Sequence, residues 1–316
     1  MNEISFVIVS WNTRDLLQNC LASIVRAANA IAHEIIVVDN ASSDDSAAMV
    51  TERFPRVNLI RNTQNLGFTK GVNQGLRASD GRFVFLLNSD VELLADTLPA
   101  LLDVMQSQPR AGIAGCAHQR PDGTAVIAFY DDPTLWRELG RNLFLTDYIW
   151  FRLRRRQALR KHRAPTPVDW VMGAAMFARR EMIQAIGLLD ESVFMYGEEF
   201  DWCLRARRRG WRVYYVPTAH ILHHENQSGA RLYNTRRYSA VTRSLFYFYD
   251  KHYGVAQRRW LALLHVIGGL ERVVLLSGWW LVIANRAHIR AEIAEHWQAL
   301  QVGWQYIFAP SVRSSK

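Results

Sequence analysis

At 316 residues with a 49% hydrophobic share, the chain has room for one large domain, or one domain and an appendage, around a sizeable core. Its 38 Lys and Arg against 29 Asp and Glu leave a formal charge of +9, which favours anionic partners: nucleic acid, anionic lipid or phosphate-bearing substrates. Three widely spaced cysteines, Cys20, Cys116 and Cys203, argue against a disulfide framework and suit a reducing compartment. The opening MNEISFVIVSWN lacks the basic n-region of a secretory signal.

Ile4 to Ser10 is a continuous β-branched and aromatic run and predicts a buried strand. It stops at Trp11-Asn12-Thr13-Arg14-Asp15, after which Leu16, Leu17, Cys20, Leu21 and Ile24 recur at helical spacing. Glu34 to Val38 predicts a second strand, ending in Asp39-Asn40-Ala41-Ser42-Ser43-Asp44, with Ser43 or Asp44 as the N-cap of a following helix. Val57 to Arg61 predicts a short third strand, and Thr69 to Ala78 a helix. Phe83 to Leu87 then reads as a strand buried on both faces, as in a parallel sheet, and breaks off in Asn88-Ser89-Asp90. Strands alternating with helices predict βαβ units and an α/β fold.

In an open α/β sheet, ligands bind at the carboxyl ends of the strands. A carboxylate such as Asp90 can hold a hard cation there, which neutralises phosphate oxygens; an Asx turn is the plainer alternative. The turn after the first strand, Ser-Trp-Asn-Thr-Arg, contains no Gly-x-Gly-x-x-Gly, which argues against a nicotinamide or flavin cofactor.

A helix is predicted from Asp96 to Ser107 and a strand from Gly112 to Cys116. Residues 117–166 are less regular, with a turn at Pro121-Asp122-Gly123. The run Arg152 to Arg163 holds seven Arg or Lys and no acid. Val168 to Arg179 is apolar with small residues in its middle, and Glu181 to Ile186 continues as a helix. In Phe194 to Arg205, three acids fall within four positions in apolar company, which is costly unless they are solvated or functional. At helical spacing Glu198 and Asp201 share a face. Trp211 to Val216 predicts a further strand, followed by Ala-His-Ile-Leu-His-His-Glu-Asn-Gln-Ser.

SWN after the first strand, VVDNASSDDS, NLGFTKGVNQG, LLNSD, VDWVMGAAMFARR, FMYGEEFDWCLRARRRGW and HHENQS occur in that order. Each is weak alone, but the ordered set resembles the family 2 glycosyltransferases of the GT-A fold. It is most similar to rhamnosyltransferase-like members that act on bacterial polysaccharide or cell-wall intermediates. The resemblance covers about residues 4–250. It implies a mixed, mainly parallel sheet with flanking helices as a catalytic domain over 1–250, and a helical appendage over 251–316.

The resemblance also implies roles. Asp39 matches the acid that accepts from the N3–H of uracil or thymine, with a helix-capping Asp as the alternative. Ser10 and Asn12 would line the nucleoside; Trp11 stacks on the base or packs in the core. Asn88-Ser89-Asp90 matches the family's Asp-x-Asp motif, with Asp90 as ligand of Mg²⁺ or Mn²⁺. Asn88 departs from the pattern and puts the ribose contact in doubt more than the metal. Glu198-Glu199 matches the Glu-Asp pair whose second acid is the catalytic base. That assigns Glu199, with Glu198 and Asp201 as alternates, to take the acceptor proton during an inverting in-line displacement. His223 matches the histidine of the closing motif, a metal ligand or a partner of the diphosphate, and the adjacent His224 competes for that role. Lys70 and Arg231 are weaker phosphate contacts, with solvated surface cations as the alternative. Trp170, Gly173 and Ala174 match a stretch lining donor sugar and acceptor.

Beyond residue 250 the resemblance fades. Trp260 to Ile283 is strongly apolar, but His265 and Glu271-Arg272 interrupt it, and the clean run Val273 to Ala284 falls short of the roughly 20 residues of a membrane span. One or two amphipathic helices on a membrane surface, or packed on the core, are expected instead, with Trp279-Trp280 at the interface. The Arg152 to Arg163 run offers a second contact with anionic lipid, and a homodimer interface is a further use of the apolar region. The reading is an inverting, metal-dependent transferase at the cytoplasmic face of the plasma membrane. It moves rhamnose from dTDP-rhamnose, or another sugar from UDP, to a lipid-linked or polysaccharide hydroxyl. A non-catalytic nucleotide-sugar or glycan-binding module is the alternative. Nucleic-acid binding has only the charge behind it, without a zinc-finger or RNP-like signature, and is set aside.

Overall fold

The computed structural model describes residues 2–142, 163–224, 237–280 and 286–311. All but the last residue of the Arg152 to Arg163 run, together with Arg231 and Ser228, lie outside the described residues, as do the side chains of Trp279 and Trp280. The chain divides into two compact units, Met1–Asp132 with Ala158–Ser228, and Pro133–Gln157 with Gly229–Lys316. This break lies upstream of the expected one at residue 250, so a helix at 237–253 groups with the second unit.

The first unit begins with β1 (Ile4–Ser10), α1 (Arg14–Ala27), β2 (His33–Asp39), α2 (Ser46–Arg53), β3 (Asn58–Arg61), α3 (Phe68–Ala78) and β4 (Phe83–Asn88). These strands pair in parallel in the order β3-β2-β1-β4. Each of β1, β2 and β4 is buried on both faces, which explains its continuous apolar sequence. Phe6, Ile8, Val37 and Phe85 pack on one side of the sheet, and Val7, Ile36, Val84 and Leu86 on the other. Neither Ser43 nor Asp44 is the N-cap of α2, which is Asp45; Asp44 sits just before it, its carboxylate accepting from the Ser46 N–H at 3.2 Å and tying down the Arg14 N–H at 2.9 Å. The helix itself starts one residue later, with Asp45 in the left-handed region at φ 61°.

Then follow β5 (Val91–Leu93), α4 (Thr97–Ser107), β6 (Ala111–Gln119), β7 (Ala125–Val126) and β8 (Phe129–Tyr130). The Val168 to Arg179 stretch is not one element. It divides among β9 (Thr166–Val168), β10 (Trp170–Val171) and β11 (Ala175–Arg179), because β10 leaves the main sheet to pair with β8. Next come α6 (Arg180–Ile186), α7 (Glu198–Arg208) and β12 (Arg212–His223). β11 enters the sheet antiparallel between β4 and β6, and the full order is β3-β2-β1-β4-β11-β6-β12-β5. β12 outruns its predicted end at Val216. A register irregularity between Val216 and His220 absorbs Pro217, and pairing with β6 and β5 then resumes as far as His223.

The second unit contains α5 (Leu135–Asn142), α8 (Arg237–Tyr253), α9 (Val255–Trp280) and α10 (Arg286–Phe308). Its most buried polar element is an ion pair: Arg258 lies 2.8 Å from Asp250, both side chains 1% exposed. Arg258 also donates to the Pro310 carbonyl at 2.9 Å, and Ser311 donates to Asp250 at 2.7 Å, which fastens the end of α10 to α8. Glu271-Arg272 does not interrupt the apolar segment: α9 is one continuous helix, and Val255–Gly278 is long and apolar enough, by length and composition, to cross a membrane.

Candidate active site

The sheet register gathers the chemistry. Ser10 pairs with Asp39 across β1 and β2, and Val9 pairs with Asn88 across β1 and β4, so three loops leave the sheet side by side. The first two are clamped together. Asn12, at φ 54°, donates its N–H to Ser42 Oγ at 2.9 Å, and its Oδ1 accepts from the Ser43 N–H at 2.7 Å. Ser10 Oγ lies 3.0 Å from Thr13 Oγ1, which donates to Ser89 Oγ at 2.8 Å, joining the first loop to the third. Asp39 is 4% exposed; its Oδ2 accepts from the Ser42 N–H at 3.3 Å, while its buried Oδ1 has no partner. A buried carboxylate oxygen lacking a donor is suited to accept an N–H from a ligand.

Of the expected nucleotide-side residues, Ser10, Asn12, Asp39 and Asn88 therefore converge on one sheet edge. Lys70 instead lies exposed on α3, where its charge helps to hold Glu191 below the usual carboxylate range, after the hydrogen bonds from Asn73 and Arg77.

Asp90 and His223 meet at the far side of this edge. His223 Nε2 lies 3.5 Å from Asp90 Oδ1, and both residues are 6% exposed. His224 turns elsewhere: its ring lies 2.9 Å from Glu92 Oε1 and its N–H donates to the Asp90 carbonyl at 3.0 Å. Among the described residues no group of three or more His, Cys, Asp or Glu is arranged to hold a metal. An oxygen and an imidazole nitrogen this close can nevertheless share one divalent cation such as Mn²⁺, whereas Mg²⁺, a harder ion, would rely on the Asp90 carboxylate, phosphate oxygens and water. The residues present therefore fit such an ion.

Behind His223 stands His118, near the end of β6, with ring centroids 5.3 Å apart in an edge-to-face contact. Neither nitrogen of this buried ring has a hydrogen-bond partner. Burial, and then the neighbouring His223, push its pKa down to about 3. No motif signals His118 in the sequence, where it falls in the irregular region after Cys116.

The acidic pair opens α7. Tyr196 (φ 68°) and Gly197 (φ 108°) turn the chain through the left-handed region, and the Gly197 N–H donates to Glu199 Oε2 at 3.0 Å. Glu198 is buried, with Oε2 unpartnered, and its pKa is raised well above the usual range, first by burial and then by the Glu199 charge. Asp201 is engaged in the scaffold. It lies 2.8 Å from Arg205 Nε, and Arg205 also donates to the carbonyls of Ile186 at 2.7 Å and Leu188 at 2.8 Å.

Gly173 faces the pair: a Cβ there would sit 3.5 Å from Glu199 Cβ and 3.7 Å from Glu198 Oε1. The next residue, Ala174, accepts the Asn88 N–H at 2.9 Å, so one short segment links the end of β4 to the acidic pair. Trp170 stacks on Tyr130 at 4.3 Å, meets Phe200 edge-on at 5.7 Å and donates Nε1–H to the Asp131 carbonyl at 3.0 Å. The loop before α7 is held by α3. Phe68 N–H donates to the Phe194 carbonyl at 2.9 Å, and Asn73 exchanges two hydrogen bonds with the Leu189 backbone, at 2.9 and 3.0 Å. Asn73 thus carries a positioning role that sequence reasoning missed.

Comparison with known proteins agrees with this arrangement. The model of glycosyl transferase family 2 matches residues 5–187. The N-acetylglucosaminyl-diphospho-decaprenol L-rhamnosyltransferase of Mycobacterium tuberculosis is 31% identical over 239 residues, covering 71% of this chain and 77% of its own. Rhamnosyltransferase WbbL of Escherichia coli K12 is 28% identical over 170 residues, 50% of this chain and 59% of the relative. The mannosyltransferase PcManGT from Pyrobaculum calidifontis, solved with GDP-Man and Mn²⁺, matches with a TM-score of 0.58 at 15% identity, over 97% of this chain and 87% of that one. The sheet order, the site at the strand ends and these likenesses agree: the chain belongs to glycosyl transferase family 2, as a rhamnosyltransferase-like enzyme of the GT-A fold.

Proposed function

We propose that the enzyme transfers a sugar, with rhamnose from dTDP-rhamnose as the leading donor, from a pyrimidine nucleoside diphosphate to a hydroxyl of a lipid-linked acceptor, inverting the anomeric carbon. The observation that carries this reading is the convergence at one sheet edge of three features. These are a buried carboxylate oxygen without a donor at Asp39, the Asp90–His223 pair, and the Glu198–Glu199 pair reached through Gly173 and Ala174. The names of the mycobacterial and Escherichia coli relatives support rhamnose, and the former supports a polyprenyl-diphosphate-linked acceptor. UDP-linked hexoses are the alternative donors of the same fold.

In this reading Asp39 accepts the imide N–H of the pyrimidine, while Ser10, Asn12 and Asn88 line the nucleoside. Asp90 and His223 would hold Mg²⁺ or Mn²⁺, which would supply positive charge to the diphosphate oxygens; the Mn²⁺ bound in the mannosyltransferase structure supports a divalent ion. Glu199 takes the proton of the acceptor hydroxyl as its oxygen bonds to the anomeric carbon. The bond from that carbon to the diphosphate breaks on the opposite side, and the nucleoside diphosphate leaves with the electron pair. Glu198, whose pKa burial and the Glu199 charge both raise, ionises less readily and leaves the basic role to its neighbour. Gly173 leaves room beside that carboxylate for substrate, and Trp170 and Ala174 complete the wall. The three buried free cysteines support a reducing, cytoplasmic setting.

The test is a screen of nucleoside diphosphate release from dTDP-rhamnose and the common UDP-sugars, with and without Mn²⁺ or Mg²⁺ and a polyprenyl-diphosphate-linked acceptor. Metal-dependent turnover of dTDP-rhamnose that disappears in Glu199→Gln is expected. Release from a UDP-hexose alone would replace the donor. Full turnover by Glu199→Gln would remove the assigned base.

A further inference from the structure

The second unit leaves an apolar face uncovered. From Trp260 to Leu276, every exposed side chain of α9 is apolar: Trp260, Leu263, Ile267, Leu270, Val274 and Leu275. The polar residues of the same span are less exposed, with His265 buried and Glu271 and Arg272 half-buried. This stripe is about 22 Å long at 1.5 Å per residue. On α10, Trp297, Trp304 and Phe308 form a second exposed stripe at helical spacing.

The two helices run antiparallel, since Gly269 of α9 lies against His296 and Leu300, and Gly303 of α10 against Ala262 and Val266. On each helix the exposed stripe lies about a third of a turn from these packing positions, in the same rotational sense, which for antiparallel helices brings both stripes out on one side of the pair. The opposite side of α9 is occupied: Arg258 bonds to Asp250 of α8, and His265 lies 3.7 Å from Glu138 of α5.

Charge identifies what this face meets. Among the described residues of the unit, the exposed charged side chains are Arg137, Arg243, Arg259 and Arg290, all cationic, while Glu138 and Asp250 are buried and Glu271, Glu292 and Glu295 half-buried. Exposed tryptophans beside arginines, around aliphatic side chains, suit the headgroup region of an anionic bilayer. A second copy of the chain would bring the same cations against them.

We propose that the α9–α10 face is a membrane-docking surface that lies in the plane of an anionic phospholipid bilayer, with Trp260, Ile267, Leu270, Val274, Trp297 and Trp304 entering the interface. Only one side of α9 is free of the protein, so the helix lies on the bilayer rather than crossing it. The inference deepens the lipid-linked acceptor reading and rests on it only for the reason why this enzyme would sit at a bilayer.

The test uses the full chain, without donor or acceptor, floated with vesicles of phosphatidylcholine alone or with 30% phosphatidylglycerol added, so its outcome is independent of whether transfer is detected. Binding to the anionic vesicles is expected, with a blue shift of tryptophan emission and weakening in 0.5 M salt. Leu270→Glu and Trp304→Glu should each lower the bound fraction at least tenfold, with circular dichroism and UDP binding kept as checks on folding. Four outcomes overturn the proposal. One is no vesicle binding by the folded chain, and another is binding unchanged by both substitutions. The others are resistance of the bound protein to alkaline carbonate, which marks a spanning helix, and a lipid-free dimer that Leu270→Glu dissociates.

Discussion

The ring of His118 stands edge-on to that of His223, with centroids 5.3 Å apart. His223 Nδ1 has no hydrogen-bond partner of its own, so this contact helps to set the ring angle that keeps Nε2 near Asp90. Groups that orient a metal-binding histidine typically contribute about 10–100-fold in metal affinity. His118→Ala, which removes that ring contact, should weaken Mn²⁺ binding in the presence of UDP by about tenfold, as read by calorimetry, whereas His118→Phe, which keeps a ring against His223, should change it little. His223→Ala should weaken it further. Unchanged affinity in His118→Ala would make His118 a packing residue only.

Asp39 is the residue expected to select the base. Asp39→Ala should raise the Kd for UDP and dTDP by tenfold or more, about 1.5–3 kcal/mol for a hydrogen bond to a charged group. ADP binding should change little, so discrimination between pyrimidine and purine diphosphates should fall. A competition assay with the three nucleotides measures both effects.

Two acids of the same helix should behave in opposite ways. Glu199→Gln should lower kcat by about 10²–10⁴, the range for loss of a general base, with nucleotide binding and melting temperature kept. Asp201→Asn takes away the charge partner of Arg205, which keeps its two carbonyl bonds, and should cost at most about 3–5 kcal/mol of stability, less the part that solvent reaches, since Arg205 is 20% exposed. Denaturant melts beside steady-state kinetics separate the two.

Two glycines make a similar contrast. A Cβ at Gly75 would fall well inside the contact distance of Val7 Cγ1 in the core, so Gly75→Ala should destabilise the enzyme by about 1–3 kcal/mol. A Cβ at Gly173 would meet Glu199 at ordinary contact distance, 3.5 Å, so Gly173→Ala should fold normally and raise the acceptor KM. Thermal melts and acceptor saturation curves check the pair.

Glu198 makes stability fall as pH rises. Burial and the Glu199 charge raise its pKa in the folded chain, whereas the unfolded chain titrates near the ordinary glutamate value of 4.5. The native state therefore keeps a proton that the unfolded state releases. The stabilising contribution is complete below the unfolded pKa and is lost progressively as pH climbs toward and through the folded one. Between pH 5 and 8 the melting temperature of the wild type should decline more than that of Glu198→Gln. Parallel declines would sink this account.

Much of the fold is legible in local sequence because a strand buried on both faces must be apolar throughout and end where polar groups can reach solvent. β1, β2 and β4 therefore announce themselves, and with them the positions of Ser10, Asp39 and Asp90. Glu198-Glu199 stands out for a similar reason, as acids in apolar company. Less legible are short pieces with no period of their own. β10 and β11 share one apolar run, and only pairing with β8 on one side and β4 on the other divides them.

By itself, then, the sequence determined the α/β alternation, the strand ends and the family, since these depend on burial patterns and motifs read along the chain. Tertiary structure alone decided which groups meet. It set His223 rather than His224 against Asp90 by carrying β12 past Pro217, and brought His118 behind it from a strand with no motif. It held Arg205, the partner of Asp201 one turn along the same helix, on the carbonyls of Ile186 and Leu188, and left only apolar side chains exposed on α9 between Trp260 and Leu276. Each depends on contacts between residues far apart in the chain, which no local pattern encodes.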